Sequence, residues 1–197
     1  MSPELTARLE AYLGLLGRWN AAYNLTAVRD PEQMRIQHLA DCLAVVEPLR
    51  RRLGPQAVAR ILDVGSGGGL PGVILAASEP SWDVTCIDSV GKKVAFVRQV
   101  AAELALPNLH AEHVRAEALR ATTPFDVIAS RAFAALSELV RLTRPLLAPE
   151  GVWMAMKGKR PVEEIAALPS DIEVSEVEPL AVAGLDAERC LVWMRFR

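Results

Sequence analysis

The sequence has few cysteines, and its apolar runs are short. The three cysteines are far apart within apolar patterns, which excludes a disulfide framework and a Cys-x-x-Cys metal site and favours buried reduced thiols; they are Cys42, Cys86 and Cys190. No apolar run is long enough to span a membrane, and the first residues follow an amphipathic helical pattern instead of a signal peptide. We therefore expect a soluble, cytoplasmic protein without a membrane segment.

Motifs for metal and nucleophilic catalysis are missing too. The sequence has no His-Glu-x-x-His, its three histidines do not form a ligand set, and it contains no nucleophilic triad. A reaction that requires neither a metal ion nor a nucleophilic side chain fits these absences, and we expect no metal site.

Lysine is scarce, and the net charge is only −2 at pH 7. The field of the whole protein does not attract nucleic acid, so any such binding must come from a local patch. The lysines follow two predicted strands, and Arg115 and Arg131 end two others, at the expected ligand-binding edge. From the residues alone, a nucleic-acid patch and solvated loop charges fit equally well. The only lysines are Lys92, Lys93, Lys157 and Lys159.

What the sequence does contain is the glycine-rich stretch Arg60-Ile-Leu-Asp-Val-Gly-Ser-Gly-Gly-Gly-Leu-Pro-Gly72. It predicts a strand over residues 61–64, a tight loop over residues 65–69 and a helix that starts near Pro71. This strand-loop-helix is typical of the start of a doubly wound α/β sheet, where ligands bind outside the carboxyl ends of the strands.

A second apolar run, residues 84–88, ends in Asp88, about 20 residues after the glycine loop. An acid there accepts hydrogen bonds from both ribose hydroxyls of an adenosine, so the two stretches indicate an adenosine cofactor. The loop resembles that of methyltransferases that use S-adenosylmethionine, although NAD would need the same acid. For Asp63, cofactor contact and a hydrogen bond that holds the loop both remain open. A turn without a ligand is the remaining alternative.

With 197 residues, the chain has room for one α/β domain and a short extension. We predict an N-terminal helical extension over residues 1–54 and an α/β domain over residues 55–197, because strand and helix patterns alternate from Arg60 onward. The last predicted strand is apolar enough to be central, and it forms a hairpin with the one before. The seven predicted strands cover residues 61–64, 84–88, 109–114, 125–130, 152–156, 172–180 and 189–196.

The extension is predicted to contain two helices. Ser2-Pro3-Glu4 starts the first, and the capping box Asp30-Pro31-Glu32-Gln33 starts a second that ends near Arg50-Arg-Arg52. The three arginines favour a helix C-terminus or contact phosphate. In the second helix, His38 and Asp41 share a face. They form either a structural hydrogen bond or a carboxylate–imidazole pair suited to catalysis.

Seven motifs follow one another along the chain, and together they are specific. They are Trp19-Asn20 with Tyr23-Asn-Leu-Thr26, His38-x-x-Asp41, Asp63-Val-Gly-Ser-Gly-Gly-Gly-Leu-Pro-Gly72, Asp88-Ser-x-x-Lys92-Lys93, Arg115-Ala-Glu117, Ser130-Arg-Ala-Phe133 and Met156-Lys-Gly158. With this set, the chain resembles the bacterial 16S ribosomal RNA guanine-N7 methyltransferases, the glucose-inhibited division protein B family. Cys42 stands where the family usually has serine, a small-for-small change.

The resemblance implies a class I S-adenosylmethionine-dependent methyltransferase fold, Rossmann-like, with a seven-stranded, mostly parallel sheet and a C-terminal β-hairpin. It implies that Gly65 and Leu70 contact S-adenosylmethionine, that Ala116 and Glu117 bracket the adenine, and that Arg131 lies between cofactor and substrate. The product would be S-adenosylhomocysteine. Further cofactor-binding residues, expected from the loop and the strand-end acids, are Asp63, Gly67 and Asp88.

The implied reaction is methylation of N7 of the guanine at position 527 of 16S ribosomal RNA. N7 has a lone pair and no proton, so the protein needs no general base and must instead orient and desolvate the base. Aromatic rings and arginine hold splayed RNA bases, although for Phe133 a core position is the alternative. The catalytic candidates are Arg131, His38 and Asn24. The RNA-binding candidates are Lys92, Lys93, Phe133, Lys157 and Lys159.

We expect a monomer that acts on RNA in the small ribosomal subunit or an assembly intermediate. Two other functions use the same fold. A small-molecule methyltransferase would act without RNA and with little salt sensitivity, and a non-catalytic module would bind cofactor or RNA without methyl transfer. The nearly complete motif set argues against both.

Overall fold

A computed structural model describes residues 1–54, 57–131 and 133–197, which contain seven strands in one sheet. The strands are β1 (Ala59–Val64), β2 (Trp82–Asp88), β3 (Leu109–His113), β4 (Phe125–Arg131), β5 (Leu147–Lys157), β6 (Ile172–Pro179) and β7 (Cys190–Phe196). Their order in the sheet is β3-β2-β1-β4-β5-β7-β6. Strands β1 to β5 are mutually parallel, whereas β7 runs antiparallel to both β5 and β6.

This topology confirms the predicted α/β fold and its C-terminal hairpin. The last strand is central to the hairpin side of the sheet, as its apolar sequence predicted, because β7 separates β5 from β6. The strand bounds differ from the predicted ones by one or two residues except in β5, which begins at Leu147 and not at residue 152.

Helices cover both faces of the sheet, so the strands are buried on both sides. Ile61 belongs to one hydrophobic cluster and Leu62 to the other, because successive strand residues point to opposite faces. The helices are α1 (Pro3–Tyr23), α2 (Pro31–Met34), α3 (Asp41–Leu43), α4 (Val46–Leu53), α5 (Gly72–Ser78), α6 (Gly91–Glu103), α7 (Leu136–Thr143) and α8 (Val162–Ala166).

The N-terminal helices share their core with the sheet. The Ser2 hydroxyl accepts a 3.2 Å hydrogen bond from the Leu5 amide and so caps α1 as predicted. Leu9 and Leu16 of α1 are buried in the same cluster as Val73 of α5. The predicted domain boundary after residue 54 adjoins residues 55 and 56, which lie outside the described part of the chain.

The second predicted helix is interrupted, which corrects the prediction of one continuous helix. Its start is right, since the Asp30 carboxylate accepts a 2.9 Å hydrogen bond from the Gln33 amide. After α2, however, Arg35–Ala40 forms a π-helical segment, α3 follows, and a turn separates α3 from α4. Single-turn π segments are frequent at functional sites, and this one contains His38.

The arginines at the end of α4 contact carboxylates. Arg50 pairs with Glu47 and Glu79, Arg51 pairs with Glu178, and Arg52 lies 3.8 Å from Glu176. The three arginines lie in the last turn of α4, as the helix-terminus interpretation predicts, and contact with phosphate stays a prediction. The three cysteines are buried and unpaired with one another, as expected. In the ranges that the structure describes, no helix combines the length and apolarity needed to cross a membrane.

Candidate active site

The glycine loop after β1 is held by the end of β2. The amides of Gly65 and Ser66 donate to the Ile87 carbonyl oxygen over 2.9 and 3.1 Å. Gly65 has a φ of +69°, and a Cβ on it would lie 2.8 Å from Cδ2 of Phe133. Glycine is therefore required here both for its backbone conformation and for space.

Asp63 lies beneath this loop and is fully buried. Its Oδ2 accepts a 2.8 Å hydrogen bond from the Gly72 amide, while Oδ1 has no partner in the described residues. Burial raises the pKa of the Asp63 carboxyl to about 7, and the Gly72 hydrogen bond opposes the rise. Asp63 lines none of the three cavities described below. The structure thus shows the loop-holding hydrogen bond and no route from this carboxylate to a cavity.

The first cavity has a volume of about 450 Å³ and lies outside the carboxyl ends of β1, β2 and β3. Asp88, at the end of β2, is on its wall, and each of its carboxylate oxygens accepts one backbone hydrogen bond. Oδ2 accepts from Gly67 at 3.0 Å, and Oδ1 accepts from Val90 at 2.9 Å. These bonds hold the carboxylate at the cavity, where the second strand-end acid was expected.

Lys93 also lines the first cavity, which differs from its predicted place on an RNA surface. Its ammonium lies 3.6 Å from Oδ2 of Asp88, and its side chain is only 29% exposed. The buried carboxylate draws the ammonium inward, because a partly buried charge is stable only with a partner.

Three more predicted residues meet at the first cavity. Ala116 and Glu117 lie on a 3₁₀ turn, Ala116–Ala118, that follows β3. Phe133 lies across from them, half-buried against the second hydrophobic cluster and in contact with Gly65. Its ring thus forms part of the cavity wall, where contact with the loop removes part of the apolar ring from water, and its RNA contact stays a prediction.

The central cavity, about 210 Å³, adjoins the first and shares Gly65 and Lys93 with it. Leu70 and Gly67 of the glycine loop line one side. Side chains from the N-terminal segment and β4 line the other. These facing side chains are Leu16, Leu25, Thr26, His38 and Arg131.

Arg131, the last residue of β4, is anchored through one nitrogen. Its Nη1 donates to the Gln37 carbonyl oxygen at 3.0 Å, lies 3.5 Å from Nδ1 of His38 and lies 3.6 Å from Oδ2 of Asp41. Within residues 1–54, 57–131 and 133–197, no partner contacts Nε or Nη2. The guanidinium is therefore fixed in place with donors to spare.

His38 does not bond to Asp41, which corrects both interpretations of that pair; each residue turns to Arg131 instead. Nδ1 of His38 lies 3.5 Å from Nη1 of Arg131, and its Nε2 shares a 2.9 Å hydrogen bond with the Thr26 hydroxyl. Burial and the charge of Arg131 lower the pKa of His38. The imidazole is thus neutral at pH 7 and supports Arg131.

Asn24 is not brought to any of the three cavities. It ends α1 with a φ of +51°, and its side-chain oxygen accepts a 2.9 Å hydrogen bond from Arg29. Its place at the helix end is explained by asparagine's tolerance of the left-handed conformation, and its catalytic role stays a prediction. Thr26, from the same motif, lines the central cavity instead.

The outer cavity, about 380 Å³, lies on the other side of Arg131. It shares His38 and Arg131 with the central cavity but no residue of the glycine loop. Its remaining wall residues are Gln37, Asp41, Met156, Lys157, Gly158 and Arg189.

The other predicted RNA-binding lysines differ in their surroundings. Lys157 donates to Glu164 at 2.8 Å and is 19% exposed. Lys92 and Lys159 are exposed, and neither makes an ion pair with a described residue. All of them lie at the carboxyl edge of the parallel strands, as predicted, together with Arg115 and Arg131.

Sequence reasoning missed Arg189 because it searched only the carboxyl ends of strands. Since β7 is antiparallel, with Cys190 paired to Lys157, its amino-terminal end reaches the same edge. The preceding residue, Arg189, therefore enters the outer cavity. In the described part of the chain, no group of three or more His, Cys, Asp or Glu residues is placed to hold a metal ion.

Comparison with known proteins identifies the family. Residues 5–192 match the family described as rRNA small subunit methyltransferase G. The chain belongs to this family. The chain is 62% identical to a Leptothrix cholodnii protein named Ribosomal RNA small subunit methyltransferase G, over 96% of this chain and 86% of that protein. It is 59% identical to the protein of the same name from Methylibium petroleiphilum, over 97% and 87% of the two chains.

Solved structures agree on the fold. The N-methyltransferase NodS from Bradyrhizobium japonicum, crystallised with S-adenosylhomocysteine, superposes with a TM-score of 0.65 at 15% identity. The match covers 91% of this chain and 98% of NodS. At this identity the likeness establishes the class I methyltransferase fold, as predicted.

Proposed function

We propose that this protein is an S-adenosylmethionine-dependent methyltransferase that methylates N7 of the guanine at position 527 of 16S ribosomal RNA. The observation that carries the proposal is the placement of Arg131 between the central and outer cavities. Its Nη1 is anchored by Gln37, His38 and Asp41, so its other donors are available to a substrate beside the glycine loop. Membership of the rRNA small subunit methyltransferase G family supports the same reaction class.

The residues present fit the cofactor. The first cavity has the size of a small-molecule site, and Asp88 offers it carboxylate lone pairs for ribose hydroxyls. Ala116 and Glu117 would border the adenine, and Gly67 and Leu70 would border the methionine part. When bound, S-adenosylmethionine supplies a methyl group on a positively charged sulfur.

The guanidinium of Arg131 explains the choice of guanine. On the edge that carries N7, guanine presents the acceptor O6, whereas adenine presents an amino donor. A donor-only guanidinium therefore favours guanine and repels adenine. We assign one donor of Arg131 to O6, which leaves the N7 lone pair free to react.

No side chain needs to accept a proton, because N7 carries none. His38 is neutral with its Nδ1 turned to Arg131, so its role is to position the guanidinium and not to act as a base. The chain's contribution is orientation and exclusion of water, which supplies up to roughly 7–11 kcal/mol in favourable systems.

The proposed substrate is 16S ribosomal RNA in the small subunit or an assembly intermediate, which places the reaction in the cytoplasm. We infer that the protein acts on this substrate as a monomer.

The test uses purified protein, labelled S-adenosylmethionine and small ribosomal subunits that lack the modification. Label should enter 16S RNA, and reduction followed by aniline should cut the RNA at one position, because this treatment cleaves at N7-methylguanine. Label in the RNA without a cut would show that the protein is an RNA methyltransferase that does not act on N7. Absence of label from RNA, with cofactor binding intact, would overturn the proposed substrate.

A further inference from the structure

Two arginines share one carboxylate at the outer cavity. Oδ1 of Asp41 accepts a 3.0 Å hydrogen bond from Nε of Arg189, and Oδ2 lies 3.6 Å from Nη1 of Arg131. The Asp41 side chain is only 5% exposed, and the two arginine side chains are 27% and 23% exposed. The single carboxylate of Asp41 thus pairs with two guanidinium groups in a partly buried site.

The third cation at this cavity, Lys157, has a carboxylate partner of its own. The Lys157 ammonium is bonded to Glu164, which also accepts a 2.8 Å hydrogen bond from the Leu136 amide. The walls of the cavity and their direct partners therefore hold three cations against two carboxylates. Partly buried charge without a counter-ion is costly, and an anion in the cavity would supply one.

Arg189 has a donor for such an anion. Its Nε donates to Asp41 and its Nη1 donates to the Glu188 carbonyl oxygen at 2.9 Å. Among the residues that the structure describes, nothing contacts its Nη2. With two of its nitrogens bonded, the guanidinium has lost most of its freedom before a ligand arrives, which lowers the entropic cost of binding.

The position of the cavity indicates which anion it takes. The outer cavity has no residue of the glycine loop on its wall, and Arg131 separates it from the central cavity. A substrate that reacts at the central cavity must approach from a side other than the first cavity, so the outer cavity lies on the substrate side. For an RNA substrate, the anion there is a backbone phosphate.

We propose that the outer cavity binds a backbone phosphate of the RNA beside the target nucleotide, with Arg189 as its principal ligand and Lys157 as the second cation. This inference rests on the proposed function and adds a subsite to it. Phosphate contacts position a nucleic acid without reading its bases, so Arg189 contributes affinity and register, and Arg131 contributes the choice of base.

The experiment measures binding of unmodified small subunits to wild type, R189Q, R189K and R195Q over a range of salt concentrations, without cofactor. Arg195 is the matched control, because it pairs with Glu173 near the far end of β7, the strand that Arg189 precedes. R189Q should raise Kd about tenfold, consistent with loss of one charged hydrogen bond. It should also lower the slope of log K against log salt by about 0.7–0.9. R189K should recover most of the affinity, and R195Q should match wild type.

Steady-state methyl transfer separates binding from positioning. R189Q should raise KM for subunits while kcat at saturation stays within about twofold of wild type and the Kd for S-adenosylmethionine is unchanged. A fall in kcat with unchanged Kd and salt slope would overturn the proposal and make Arg189 a positioning residue for Arg131. Weaker cofactor binding in R189Q would overturn it by assigning the cavity to the cofactor.

A calorimetric titration with inorganic phosphate distinguishes the two sources of the anion. Weak or absent binding, with the RNA effect intact, supports the backbone assignment. Tight binding of inorganic phosphate that R189Q abolishes, with RNA binding unchanged, would overturn it. Subunit binding is measured without methyl transfer. Failure to form N7-methylguanine would therefore refute the proposed function without changing the conclusion drawn from the effect of R189Q on subunit binding.

Discussion

The hydroxyl of Tyr12 donates a 2.7 Å hydrogen bond to the carbonyl oxygen of Gly68, across 56 residues of sequence. Tyr12 is fully buried, and burial raises the pKa of its phenol well above the usual value, so it remains a donor at every working pH. The first helix thus reaches the glycine loop directly. The N-terminal extension supports the cofactor site as well as the side facing the substrate.

Replacing Tyr12 with phenylalanine should destabilise the folded conformation of the glycine loop. The Gly68 carbonyl would lose its buried donor, which costs about 1–3 kcal/mol. We expect a lower free energy of unfolding and several-fold weaker binding of S-adenosylmethionine, measured by urea denaturation and calorimetry. Tyr23→Phe is the control, since Tyr23 is 46% exposed at the end of α1. Equal stability and cofactor affinity in Tyr12→Phe and wild type would refute this role.

Arg131→Lys should reduce turnover while the fold is kept. Lysine preserves the charge but not the planar fork that is anchored at Gln37, His38 and Asp41. Loss of one positioned donor typically lowers kcat by about 100-fold or more. Single-turnover methylation of unmodified subunits measures the step. Arg144→Lys is the matched control, because Arg144 pairs with Asp171 away from the cavities. Full turnover in Arg131→Lys would exclude the guanidinium from the reaction.

His38 should make stability fall on acidification. Its folded pKa is below the ordinary value because of burial and Arg131, so between the two pKa values the unfolded chain binds more protons than the folded chain. Stability is then lost as pH falls below about 6.5 and levels off beneath the folded pKa. His38→Asn keeps an acceptor for Arg131 without titrating. Urea denaturation from pH 7.5 to 5 should show a smaller loss for this variant, and an identical loss would contradict the assignment.

The Asp63 carboxyl should change the free energy of unfolding with pH in the opposite direction. Its folded pKa is raised to about 7, so between pH 4 and 7 the folded chain binds more protons and this carboxyl lowers stability as pH rises. Asp63→Asn removes the titration and keeps an acceptor for the Gly72 amide. The variant's stability relative to wild type should therefore improve by about 2–3 kcal/mol from pH 5 to pH 8. A difference that stays constant over this range would place the folded pKa near its ordinary value.

The succession of strands along the chain and the glycine loop could be predicted from the sequence because they depend on local patterns. Apolar runs that end in Asp63 and Asp88 predict parallel strands whose acids reach one edge, and the structure has both acids at that edge. The capping residues Ser2 and Asp30 start helices where predicted, since a cap bonds to amides only three residues away.

Contacts between distant segments could not be predicted in this way. The sequence did not indicate that Lys93 and Phe133, both predicted to bind RNA, line a cavity, where a carboxylate on β2 and the loop after β1 hold them. Asn24 was predicted to take part in catalysis, but its backbone conformation ends a helix. Of these neighbours only Gly65, which packs against Phe133, is remote in sequence, whereas Asp88 and Arg29 lie near Lys93 and Asn24 along the chain but are brought to them by the turn after a strand and by the end of a helix.

By itself, the sequence determined the family, the α/β architecture and the edge of the sheet at which the candidate site lies, because periodicity, caps and collinear motifs are encoded over short distances. Only the tertiary structure decided how that edge is used. It placed Arg131 and Arg189 on one shared carboxylate because β7 runs antiparallel and a π-helical segment leads into Asp41. Electrostatic coupling depends on distances between atoms in space, and residues 41, 131 and 189 become neighbours only when the sheet has formed and the N-terminal helices have packed against it.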